Sequence, residues 1–310
     1  MKKNLRQETT STSPKVIVTG GNGGIGSALA EKLSEDYQVL VLDNRITREF
    51  NKNIEAVVCD LTDPEEFKKH LDGVEYIFHL ACIKPSERGT TKDEYYENLK
   101  MTENIGKYNK DAKVIYSSAG TIYGDQFTFP IKENASITCD ISDYYCRGKL
   151  ESEQILDKYS RENNWPLVNL RITNVYGSEF KRKGEILPEF YIKLINDMPI
   201  KIYGDGTQKR DRIFIDDLVN AFYLSIPDKV EGVFNIGSKR SYSTIKVAKI
   251  MGKILNKKPE LEFERSSGLK RADNLLDIRK ARKIMRFKPK VKFSKGVKIL
   301  LKEWLKSWNT

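Results

Sequence analysis

The chain has 310 residues, 39% of them hydrophobic and 31% charged, which is long enough for one large domain or two coupled ones around a buried core. No stretch approaches the roughly 18 apolar residues that span a bilayer, so a membrane role is not expected. The four cysteines (Cys59, Cys82, Cys139 and Cys146) lack CxxC spacing and the two histidines (His70 and His79) are isolated. That pattern points away from zinc and from a disulfide framework, and towards reduced thiols in a cytoplasmic protein. The formal charge of +11 is concentrated late, in Lys181-Arg182-Lys183, Lys257-Lys258 and the stretch from Arg279 to Lys306. Basic patches can mark nucleic-acid binding. Here the lysines alternate with apolar residues at helical spacing, as in ILLKEWLKSW, which reads as solvated helix faces. No nucleic-acid partner is therefore expected, and a ligand carrying a diphosphate would give some of this charge a purpose.

Residues 1–14, MKKNLRQETTSTSP, have no apolar run of a secretory signal and read as a disordered leader. From residue 15 short β-branched or aromatic runs alternate with helical patterns. KVIVT (15–19), QVLVL (38–42), EAVVC (55–59), EYIFHL (75–80) and KVIYSS (113–118) read as strands buried on both faces. Helices are expected over Ile25–Leu33, Pro64–Leu71, Lys92–Tyr108 and Tyr145–Ser160, followed by a strand PLVNLR at 166–171. This βαβαβ order implies an α/β fold with a Rossmann-type doubly wound parallel sheet across residues 15–175. Residues 176–310 read as a smaller, irregular α/β substrate-binding lobe, with the chain crossing between the two. Its expected helices are Leu187–Ile195, Asp216–Leu224, Thr244–Leu255 and Phe293–Trp308, and its short strands include IKIY (200–203) and GVFNI (232–236).

The segment VIVTGGNGGIGSALAEKL sets Gly20, Gly23 and Gly26 between a strand and a helix. One glycine makes the tight turn, one admits the pyrophosphate against the backbone, and one allows close helix–strand packing. The helix N-terminus then offers unpaired N–H groups to the phosphates. Gly24 and Ile25 belong to the same cradle. Asp43, with Asn44 beside it, ends the second strand about twenty residues on. A carboxylate there accepts from ribose hydroxyls and repels a 2′-phosphate, which favours NAD over NADP; Arg45 leaves some tolerance for NADP. Asp60 and Leu61, after the third strand, fall where an adenine ring would lie.

Tyr145 and Lys149 form a Tyr-x-x-x-Lys, and i, i+4 spacing puts both on one helix face. A free phenol titrates near ~10, and lowering that by roughly three units requires about 4 kcal/mol of preferential stabilisation of the phenolate. The adjacent ammonium and a positive nicotinamide ring are suitable sources.

Taken together, these residues resemble the extended short-chain dehydrogenase/reductases, and among them the NAD-dependent epimerase/dehydratase family, with particular similarity to UDP-galactose 4-epimerases. The resemblance runs from Lys15 to Trp308 through HLACIK (79–84), YYENLKMT (95–102), SSAGTIYGD (117–125), LRITNVYG (170–177), IYGDGTQKRDRIFIDD (202–217), FNIGS (234–238) and RADNLLD (271–277). It implies that Leu80, Ala81, Lys84, Asn98 and Ser117 border the cofactor, together with Tyr145 and Lys149. It also implies that Lys84, Asn174 and Tyr203 contact substrate, and that Arg210 and Arg271 hold a nucleotide diphosphate, whose oxygens suit the planar guanidinium fork. The family pattern further implies a homodimer built on the helices at 92–108 and 145–160.

Two positions depart from that pattern. Gly24 replaces a bulky apolar residue inside the glycine loop. Ala119 stands where the family places its catalytic Ser or Thr, leaving Thr121 as the first candidate hydroxyl and Ser118 as the second. The expected reaction is 4-epimerisation of a UDP-hexose, in which Tyr145 removes the O4 proton while C4 is oxidised by NAD. A 4,6-dehydratase would need adjacent acids where this chain has Gly120 and Thr121. Other nucleotide-sugar chemistry is the alternative, and a non-catalytic NAD-sensing or RNA-binding relative is the alternative of another class.

Overall fold

The computed structural model describes residues 13–84, 89–180, 184–265 and 273–307, so most of the expected leader and Arg271 lie outside the described residues. In chain order the elements are β1 (Lys15–Thr19), α1 (Gly24–Leu33), β2 (Gln38–Asp43), β3 (Ile54–Val58), α2 (Pro64–Lys68), β4 (Val74–His79), α3 (Lys92–Tyr108), β5 (Lys113–Ala119) and a 3-10 turn at Gly120–Tyr123. They continue with α4 (Tyr144–Asn163), β6 (Leu167–Ile172), β7 (Asn174–Tyr176), α5 (Ile186–Ile195), β8 (Ile200–Tyr203), β9 (Lys209–Phe214), α6 (Ile215–Tyr223) and β10 (Gly232–Ile236). The last are β11 (Ser241–Ser243), α7 (Thr244–Leu255), β12 (Leu261–Glu264), α8 (Arg279–Ile284) and α9 (Phe293–Ser307).

Seven strands form one parallel sheet in the order β10-β6-β5-β4-β1-β2-β3. The order reverses between β1 and β4, and the crevice beyond their carboxyl ends is where such sheets take ligands. Helices α1 and α6 pack together, as do α3 and α4. Strand interiors such as Val16–Val18 and Val39–Leu42 are buried on both faces, which explains their unbroken apolar runs.

The structure moves one strand. GVFNI, assigned to the second lobe by its place in the chain, pairs in parallel with β6 and closes the edge of the main sheet. Helix α2 also stops at Lys68 rather than Leu71. His70 N–H and Leu71 N–H donate back to Phe67 and Lys68 carbonyls, a tightened last turn before Gly73 at φ +69°. Two smaller sheets lie apart from the main sheet in pairing, the three-stranded β11-β9-β7 and the parallel pair β12-β8. Helix α9 buries Val297, Leu300, Leu301 and Trp304 while Lys298, Lys302 and Lys306 face water, so its positive charge lies on a solvated face.

Helix α4 is capped by Asp143, whose carboxylate accepts from Tyr145 and Cys146 N–H. Further along it, Glu153 is buried and paired with buried Arg171 of β6, the Nη2–Oε2 distance being 2.7 Å. Arg171 also donates to Tyr123 Oη and to the Glu133 carbonyl. Removing one partner of a buried pair strands the other charge, which typically costs about 3–5 kcal/mol. Arg171→Met should lower the free energy of chemical denaturation by about that amount, and a loss below about 1 kcal/mol would contradict the dry, paired state described here.

Candidate active site

The glycine loop meets the β4–α3 connection at the point where the strand order reverses. Gly20 has φ +69°, and a Cβ there would lie 2.7 Å from the Ala81 backbone. A Cβ on Gly26 would lie 2.3 Å from the Gly20 carbonyl oxygen. Both positions therefore exclude any side chain, and the cradle left open above the first turn of α1 fits a pyrophosphate. The missing side chain at Gly24 does not leave a void, because Glu179 and Phe180 pack against it, with Phe180 Cζ 3.6 Å from an added Cβ. Asp43 accepts from Asn22 N–H at 3.0 Å, so its carboxylate is fixed beside the loop, with Asn44 following it at the surface. These features fit a dinucleotide with free ribose hydroxyls.

Other expected cofactor residues also make local contacts within the protein. Asp60 accepts from Thr62 N–H and caps its own turn. Leu61 is a core residue, 3% exposed, and its carbonyl accepts from Asn104. Asn98 uses both ends of its amide on Ile83, accepting from N–H at 2.7 Å and donating to the carbonyl at 3.2 Å, and so holds the loop from Leu80 to Lys84. His79 bridges Thr19 and Thr102, and burial, with Lys149 adding to the effect, lowers it to about 3, so it is neutral. Among the described residues no group of His, Cys, Asp and Glu is arranged to hold a metal ion.

A cleft of about 460 Å³ opens beside this cradle. Its lining brings Ile25, Lys84, Ser117, Ser118, Thr121 and Tyr145 together with Asn174, Arg210 and Arg212. Lys149 donates to the Ser117 carbonyl at 2.7 Å, which holds its ammonium 6.0 Å from the centroid of the Tyr145 ring and 4.9 Å from that of Tyr116. Burial pushes the Tyr145 phenol up to about 12, and Lys149 is the chief group pulling it down. In the ligand-free protein the phenol is thus neutral at pH 7.

The two candidate hydroxyls separate. Ser118 is 2% exposed and its hydroxyl donates to Glu153, on the side of β5 that faces α4. Thr121, on the 3-10 turn, is exposed and lines the cleft with Tyr145. Ala119 also lines it and brings no hydroxyl. Among the expected substrate residues, Asn174 donates to the Asp211 carbonyl at 2.9 Å and Lys84 lies 5.6 Å from the Phe180 ring centroid. Tyr203 is 66% exposed and does not line the cleft.

Sequence reasoning missed Arg212, which is 8% exposed and lines the cleft. Its signal was present in the alternation of KRDRIF, where Arg210 and Arg212 share one side of β9 and Asp211 takes the other. It also missed the pairing of Glu153 with Arg171, whose partners are eighteen residues apart in the sequence.

The sequence profile of the NAD dependent epimerase/dehydratase family matches residues 16–237. A dTDP-4-dehydro-6-deoxyglucose reductase of Escherichia coli is 30% identical over 309 residues, covering 93% of this chain and 96% of the relative. The structure of UDP-glucose 4-epimerase with UDP-glucose from Thermotoga maritima superposes with a TM-score of 0.85 at 27% identity, over 95% of this chain and 99% of that one. A variant of UDP-glucuronic acid 4-epimerase from Bacillus cereus, bound to a fluorinated UDP-glucuronic acid and NAD, superposes with a TM-score of 0.84 at 25% identity, over 95% and 99%. The glycine cradle at the strand reversal, the Tyr145/Lys149 pair and the match over more than two thirds of its length place the chain in the NAD-dependent epimerase/dehydratase family.

Proposed function

We propose that the chain is an NAD-dependent nucleotide-sugar 4-epimerase acting on a UDP-hexose. The observation that carries this reading is that one cleft is lined both by Tyr145, backed by Lys149, and by Asn174 with Arg210. That arrangement suits a ligand with an oxidisable hydroxyl at one end and a diphosphate at the other. The names of the similar proteins, two epimerases and a reductase of nucleotide sugars, agree with this substrate class.

Bound NAD supplies reversible two-electron oxidation of the sugar carbinol. The chain supplies everything else. The Tyr145 phenolate takes the proton from sugar O4 and returns it when the carbinol is restored. Lys149, pinned by the Ser117 carbonyl, lowers the cost of that phenolate through its charge. Thr121 hydrogen-bonds O4, the task that Ala119 cannot perform. Arg210 holds the diphosphate, with Arg271 expected to assist, while Asn174 orients the glycosyl end. With the diphosphate anchored, the 4-keto sugar can turn and present its other face, so the configuration at C4 is inverted. The absence of acids at Gly120 and Thr121 argues against 4,6-elimination.

The outer faces of α3 and α4 carry Tyr96, 53% exposed, with Leu99, Ile155 and Tyr159 around a groove of about 380 Å³. We assign this face to a homodimer; a monomer in light scattering at high concentration would contradict it.

Incubating the protein with a panel of UDP-, dTDP- and GDP-sugars should yield the C4 epimer of a UDP-hexose, and a dehydrated, decarboxylated or reduced product would overturn the assignment. Tyr145→Phe and, to a smaller degree, Thr121→Val should lower kcat with NAD still bound. The expected loss for Tyr145→Phe is about 10²–10⁴-fold, and normal turnover would exclude the phenol as base. The reactive form is the phenolate, so activity should rise with pH until the phenol titrates. Lys149→Met removes the main group that lowers the phenol, so the rising limb should move to higher pH and activity should fall most near pH 7. An equal loss at every pH would contradict that role.

A further inference from the structure

Strand β9 lies between β7 and β11 and presents residues alternately to its two sides. Asp211 turns inward, 0% exposed, and accepts from Ser238 N–H at 2.9 Å and from Ser238 Oγ at 2.6 Å. Arg210 and Arg212 turn the other way and line the cleft. Arg212 stands opposite Asn174 in the register of β7 with β9.

Arg212 is 92% buried, yet among the described residues no carboxylate lies within salt-bridge distance of it. Its Nη1 has two long contacts, 3.3 Å to the Arg210 carbonyl and 3.4 Å to the Tyr242 carbonyl. The other buried arginine, Arg171, has a bidentate carboxylate, so burial without an acid sets Arg212 apart. Burial, and the charge of Arg210, pull its guanidinium down to about 10, still fully charged at pH 7. A buried cation is tolerated when an anion completes it. Among the described residues no carboxylate pairs with this guanidinium, and Arg212 lines the cleft.

We propose that Arg212 is a positioning residue that binds an anionic oxygen of the ligand's diphosphate, forming with Arg210 a two-guanidinium clamp on one side of β9. The proposal rests on the sugar-nucleotide reading above and extends it by naming the group that fixes the ligand's charged centre. Two guanidinium groups separated by one residue on a strand offer two positive charges to a group carrying two negative ones. They sit on a β-strand rather than on a loop, so the anion is held while the glycosyl end remains free to turn.

The test is calorimetric titration of NAD-loaded protein with UDP, UMP and uridine, comparing wild type with Arg212→Gln and Arg212→Lys. A charged hydrogen bond of this kind is worth about ten- to hundred-fold in affinity, so Arg212→Gln should weaken UDP by that factor and change uridine less than about two-fold. Arg212→Lys should restore part of the loss. Because the unpaired cation is unfavourable without ligand, ligand-free Arg212→Gln should melt at or above the wild-type temperature, which a structural role would not give. UDP affinity within about two-fold of wild type in the folded variant would overturn the proposal, as would equal losses for UDP and uridine. A loss seen with UDP-glucuronic acid but not with UDP would transfer Arg212 to a sugar carboxylate and also overturn it. Wild-type protein that binds none of these nucleotides would refute the sugar-nucleotide reading itself, a failure distinct from that of Arg212.

Discussion

Helix α4 is fastened to the end of strand β5 at two successive residues: Lys149 donates to the Ser117 carbonyl and Glu153 accepts from the Ser118 hydroxyl. Tyr145, Lys149 and Glu153 follow one another at four-residue steps, so phenol, ammonium and carboxylate form one stripe running from the cleft into the core. Arg171 on β6 closes that stripe from below with a bidentate grip on Glu153. A slip of one residue in α4 would rotate Tyr145 by about 100° and carry it out of the cleft. The geometry proposed for catalysis is therefore a consequence of how one helix is pinned to two central strands. The same pinning engages Ser118, whose hydroxyl donates to Glu153 although the residue borders the cleft.

The second determinant is charge. Lys84, Lys149, Arg210 and Arg212 all reach the cleft or its wall, in a protein whose net charge is +11. A cleft of one sign with low-dielectric walls raises the local concentration of an oppositely charged ligand. Alone, burial keeps Tyr145 neutral, and Lys149 offsets only part of that effect. Positive charge arriving with the cofactor would favour the phenolate further, so a larger fraction of Tyr145 would be ionised when the site is full.

Much of this was legible in the sequence because it depends on local patterns. Gly20, Gly23 and Gly26 follow a strand and open a helix, and their spacing reflects contacts within one turn. Tyr145 and Lys149 meet because helical spacing requires it. The rest depends on long-range placement. GVFNI reads as a strand but nothing local says that it joins β6, sixty residues upstream. KRDRIF looks like a solvated charged run, yet Asp211 and Arg212 are buried, since β9 is covered by β7, β11 and the helices around them. The hydrogen bond from Ser118 to Glu153 was not readable from order along the chain, because it depends on which side of β5 faces α4. Tyr203, chosen by resemblance alone, lies outside the cleft.

The proposed chemistry places oxidation and its reversal at C4 of one sugar within one site. Its most direct test is turnover of UDP-glucose deuterated at C4, in ordinary water, with mass and position of the label read in the product. The expected product is UDP-galactose that still carries deuterium at C4, with no net change in the NAD pool. Loss of the label to water, or a product altered at C5 or C6, would contradict it.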